Sequence, residues 1–147
     1  MQVNYKKIAN KLKFEGRAFI NGKYVNAIDG KKFETINPAT GEKLCTVAKC
    51  NHKDVDFAVK VSRKAFNSGV WSKSSPEHRK EVLLKFADLL RKHGDENSVL
   101  ECVDTGKLIA DCINEVANDA PMHFQWYGEL IDKFLVKLVQ LNHRLQV

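Results

Sequence analysis

FINGKYVNAIDGKKFETINPATGE, residues 19–42, decides how the first third of this chain is built. Ala18-Phe19-Ile20 and Lys23-Tyr24-Val25 are short β-type runs on either side of Asn21-Gly22. That dipeptide tolerates the positive φ angles of a type I′ turn, so the run predicts a tight hairpin. Lys32-Phe33-Glu34-Thr35-Ile36 and Lys43-Leu44-Cys45-Thr46-Val47 form a second pair of strand patterns. Asn37-Pro38-Ala39-Thr40-Gly41 between them has the residues of a longer turn.

Upstream, residues 1–15 carry a short basic helical pattern with Val3, Ile8, Leu12 and Tyr5 on its apolar side. Downstream of Asn51 the period becomes helical. Val55, Ala58, Val59, Ser62, Ala65 and Phe66 make one stripe, with Asn51 as cap and Gly69 as stop. Ser75-Pro76 followed by Glu77 starts the next helix, whose buried face is expected to be Val82, Leu83, Phe86, Ala87 and Leu90, with Gly94 ending it. A third helix is expected over about 95–104 and a fourth over about 108–132. Ile109, Cys112, Val116, Ala120 and Trp126-Tyr127 are its expected buried positions, and Pro121 predicts a kink or break. Trp71 is likewise expected to pack.

The 147 residues suffice for one domain with a real core, and 44% hydrophobic with 29% charged residues is ordinary globular composition. The longest apolar runs, such as Phe134-Leu135-Val136, are too short to cross a bilayer, so no membrane partner is expected. The opening MQVNYKKIANKLKFEGR has no apolar signal stretch. It is basic and poor in acid, but lacks the Arg and Ser enrichment of a mitochondrial leader, which leaves the cytoplasm as the expected location. A net charge of +6 raises the question of nucleic acid, yet no basic run is interleaved with aromatics. Solvated helix faces explain the charge better.

Cys45, Cys50, Cys102 and Cys112 form no Cys-x-x-Cys and no zinc spacing with histidine. Cys102 and Cys112 fall at helical apolar positions, where a thiol acts as a small hydrophobe. Nothing nearby in the sequence activates any of the four, so none is assigned as catalytic. The histidines at 52, 78, 93, 123 and 143 form no i,i+4 pair, and His78 and His93 read as surface residues. No Gly-x-Gly pair exists, which excludes a dinucleotide fingerprint and a P-loop within these residues. There is no repeat, low-complexity tract or linker.

Five segments in register resemble the start of the aldehyde dehydrogenase superfamily. They are Phe19-Ile20-Asn21-Gly22, Asn37 to Glu42, Trp71-Ser72 ahead of Ser75-Pro76 and Arg79, Asp104-Thr105-Gly106-Lys107, and Trp126-Tyr127 ahead of Asp132-Lys133. The resemblance covers residues 15–133, nearest in appearance to enzymes of aminoaldehydes such as γ-glutamylaminobutyraldehyde. It implies an α/β fold: an incomplete coenzyme-binding domain, with N-terminal β-hairpins followed by about four helices and no complete Rossmann sheet. It also implies a parent reaction in which a Cys thiolate attacks the aldehyde, a Glu acts as base, an Asn helps hold the oxyanion, and hydride passes to NAD or NADP. The Gly-Gln-x-Cys and Pro-Trp-Asn segments that carry this chemistry are absent here. The chain alone is therefore expected to bind no dinucleotide and to be inactive. A structural monovalent cation in some members implies Thr35, Ile36 and Asp104 as metal positions, with a further ligand from beyond this chain. Oxygen ligands, including backbone carbonyls, suit such a hard ion. Otherwise Asp104 is expected to end a helix and bond the amides of Gly106 or Lys107.

From residue 134 the family pattern gives way to FLVKLVQLNHRLQV, without Gly or Pro. Residues 1–133 are thus read as the domain and 134–147 as a divergent amphipathic tail, with Ile131, Phe134, Leu135, Leu138, Leu141 or Asn142, and Leu145 on one side. The abrupt change favours a shifted frame or alternative exon end over a purposeful tail. Helices meant for absent strands would leave apolar surface bare, so a marginally stable or self-associating chain is expected. The alternative to an inactive dehydrogenase portion is a non-catalytic interaction protein that binds a partner such as a full-length dehydrogenase subunit.

Overall fold

The computed structural model describes residues 3–144, and side chains over residues 3–133. Helix α1 (Tyr5–Ala9) leads into β1 (Ala18–Ile20), β2 (Lys23–Val25), β3 (Lys32–Ile36) and β4 (Lys43–Ala48). Then follow α2 (His52–Ser68), α3 (Pro76–Lys92), α4 (Gly94–Thr105), α5 (Ile109–Cys112), a π-helical stretch (Ile113–Asp119) and α6 (Ala120–Arg144). The basic helix expected over 1–15 is confined to a little more than one turn.

Two separate antiparallel pairs, β1–β2 and β3–β4, replace a continuous sheet. Asn21 and Gly22 both take positive φ, 56° and 74°, which pairs Ile20 directly with Lys23 and closes the first hairpin. In the second pair Thr35 faces Cys45 while Ile36 faces Lys43, so Leu44 is the extra residue of a bulge. The connecting turn is held by its own Asn37, whose side chain accepts from the Ala39 amide at 2.9 Å.

A buried carboxylate joins hairpins to helices. Asp54 Oδ2 accepts from the Asn51 amide and Oδ1 from the Ile28 amide, both at 2.8 Å. The Asn51 side chain accepts from the Lys53 amide, completing a reciprocal cap on α2. One acid thus closes a helix start and anchors the β2–β3 loop.

The helices pack mainly as an antiparallel pair, α3 against α6. Ala87 is fully buried at this seam, Gly128 meets Leu83 and Leu84, and Lys80 and Asp132 close one end at 2.5 Å. Asp132 lies below the usual carboxylate range because Lys80 donates to it, and Lys80 is raised by the same bond. Gly94 does not end α3. The helix stops at Lys92, and Gly94 opens α4 where a Cβ would lie 2.8 Å from the Ala117 Cβ, so the two backbones touch.

The fourth expected helix is not one helix. The π-helical stretch precedes the fully buried Pro121 and inserts extra residues into the turn. It moves the buried register forward: Gly128, not Tyr127, is the buried position, and Trp126 and Tyr127 stack edge to face on the outside at 4.9 Å. Val82 and Phe86 are also exposed, and so is Trp71, contrary to the packing expected of them. The α2 stripe differs most. Val55, Val59 and Phe66 are 56, 60 and 64% exposed, because no element among the described residues packs along that helix. The backbone of the expected tail helix continues α6 to Arg144, while the side chains of 134–147 lie outside the described residues.

Replacing Asp54 by alanine orphans the Ile28 amide and the α2 cap together. Urea unfolding followed by circular dichroism is expected to show a loss of about 1–3 kcal/mol; an unchanged midpoint would show that neither bond matters.

Candidate functional site

A cleft of 840 Å³ separates the second hairpin from α4. Its apolar wall comes from Phe33 and Val47 on the hairpin, Leu100 on α4, and Phe14 and Tyr24 at the mouth. Thr35, Glu101 and Asp104 supply oxygens, and Cys45 supplies the one sulfur.

Strand alternation sets Thr35 towards the helix, and the bulge next to it turns the strand there. The Thr35 hydroxyl donates to Asp104 Oδ1 at 3.2 Å. Thr35 and Asp104, 69 residues apart in sequence, are therefore brought together, with Ile36 beside them at the bulge. Asp104 does not bond the Gly106 or Lys107 amides. Gly106 donates to the Cys102 carbonyl in a left-handed helix cap, and Lys107 donates to the Thr105 hydroxyl at 3.3 Å. Those amides are taken by the helix terminus itself, which leaves the carboxylate facing the hairpin.

Lys107 has a role the sequence did not show. Its ammonium reaches Glu115 at 2.6 Å and Glu101 at 3.3 Å, tying the end of α4 to the π-helical stretch. Bonds from Glu115 first and Glu101 second raise its pKa. At the mouth, Arg17 binds Glu15 with two side-chain bonds and holds that carboxyl down to about 2.

The chemistry available is limited. Cys112 is fully buried, burial pushes its thiol up, and so it is packed as expected. Cys102 and Cys45 are half-buried and Cys50 is exposed. Among the described residues no three His, Cys, Asp or Glu side chains gather as a metal cluster. His93 approaches only Glu96, at 3.7 Å, and His123 only the Asp119 carbonyl. Among the described residues no helix is long and apolar enough to cross a membrane.

A dinucleotide does not fit the residues present. Pyrophosphate binding needs free amides at a glycine-rich turn from strand to helix. The turn from β4 to α2 is Lys49-Cys50-Asn51, and its amides are engaged by Asn51 and Asp54.

The profile of the aldehyde dehydrogenase family matches residues 24–146. The chain belongs to this family. Aldehyde dehydrogenase 1 of Tanacetum cinerariifolium is 51% identical over 71% of the chain and 21% of the relative. Aminoacetaldehyde dehydrogenase of Pseudomonas aeruginosa is 42% identical over 88% of the chain and 26% of the relative. Among solved structures, γ-glutamyl-γ-aminobutyraldehyde dehydrogenase from Burkholderia cenocepacia superposes with a TM-score of 0.84 at 42% identity, covering 88% of the chain and 26% of that enzyme. This aldehyde dehydrogenase chain thus spans about a quarter or less of the relatives it matches. Its hairpins and helices are the N-terminal part of their fold, without a closed sheet.

Two measurements check the site. Carboxyl NMR titration is expected to place Glu15 near 2, and Arg17→Ala to return it towards the ordinary 4.5. Because the folded pKa is depressed, this contribution to stability is present above 4.5 and fades as pH falls towards 2. With a thiol reagent, exposed Cys50 is expected to react at once and Cys112 only on unfolding; prompt labelling of Cys112 in the native chain would show the α4–α5 core to be open.

Proposed function

We propose that the chain forms the N-terminal scaffold of an NAD(P)-dependent dehydrogenase that oxidises an aminoaldehyde to the carboxylic acid through a Cys thiohemiacetal. By itself it performs no turnover. The carrying observation is the match at 42% identity to 88% of this chain but only 26% of the relative. The segments expected for nucleophile, oxyanion donor and dinucleotide are not found within these 147 residues. The aminoaldehyde class is supported by the two relatives named for such substrates. The comparisons lend no support to a purely non-catalytic role.

Thr35, Ile36 and Asp104 hold a monovalent cation in this reading. Two side-chain oxygens meet there, and backbone carbonyls at the bulge add hard donors. A ligand from outside these residues completes the shell.

Purified chain mixed with aminoacetaldehyde and either NAD+ or NADP+ is expected to give no absorbance at 340 nm above a protein-free blank. Sustained reduced-coenzyme formation that scales with chain concentration would overturn the reading.

A further inference from the structure

We propose that the bare apolar faces of α2 and of the α3–α6 pair dock the part of an aldehyde dehydrogenase chain that follows the segment matched here. The proposal rests on the functional reading above and adds the surface and its occupant.

On α2, Val55, Val59, Ser62 and Phe66 recur at helical spacing along one face, with no element packed on them. Val82, Phe86 and Leu89 repeat the pattern on α3, and Phe86 meets Phe124 of α6 edge to face at 4.7 Å. Surfaces this apolar on a monomer mark a contact.

The area identifies the scale of that contact. The chain exposes 11472 Å², where a compact monomer of its mass exposes about 7,600 Å². The surplus, roughly 3,900 Å², is several times the ~800 Å² that each partner buries in a standard interface. A second copy docking at ordinary size would leave most of it bare. The remainder of a dehydrogenase chain is large enough, since the relatives are about four times longer. The backbone also already has its conformation in those longer proteins, with a TM-score of 0.84 over 88% of the chain. The face is shaped for what covers it there.

The test is co-expression of the tagged chain with the Pseudomonas aeruginosa aminoacetaldehyde dehydrogenase lacking its own matched quarter. A soluble one-to-one complex is expected. Val59→Glu and Phe86→Glu should each reduce its yield at least tenfold while the helical circular dichroism of the chain persists. The intact relative, whose own segment fills the place, should not be retained. If the truncated relative does not accumulate alone, its soluble yield becomes the readout, and the chain should raise it several-fold. An unchanged yield, equal capture of the intact relative, insensitivity to both substitutions, or a homodimer or anionic-vesicle complex that excludes the truncated relative would each overturn the proposal. Turnover by the chain alone is a separate result, and refutes the functional reading without touching the docking measurement.

Discussion

Close backbone approach at small residues holds the helical part of this chain together. Gly94 lies against Ala117, Ala87 is buried where α3 meets α6, and Gly128 sits on Leu83. Such seams admit dense packing but hide little apolar area per residue, since the side chains at the contact are small. The larger hydrophobes stand on other faces. Internal cohesion and external exposure are thus two results of one distribution of side-chain size.

Polar ties do the joining that a larger core would otherwise do. Asp54 links the hairpin region to α2, Thr35 links the second hairpin to α4 through Asp104, and Lys107 links α4 to the π-helical stretch. Only Asp54 of these acids is buried, so its bonds contribute most to stability. The exposed ties define relative position more than they add free energy.

The hairpins and helix starts were legible because their determinants are local. Asn21-Gly22 sets its own turn, and Asn51 and Ser75 accept from amides two or three residues ahead. Burial was less legible. The apolar stripe of α2 was correctly placed on one face, yet a stripe shows what a helix can bury and not whether a partner is present. Tyr127 was misassigned for another reason: a constant period of 3.6 cannot pass through the wide turn at 113–119 without losing phase. At the candidate site, Asp104 was recognised only through family resemblance. The bond to Thr35 spans 69 residues, and no local pattern encodes it.

The placement of the two tryptophans has a spectroscopic consequence. Trp71 is 47% and Trp126 57% exposed, and the sequence has no others. Both indoles already meet water in the folded chain, so their emission changes little when the chain unfolds. Covering the helices would change it more. In this protein intrinsic fluorescence is a gauge of association, and the folding transition is better followed through the backbone.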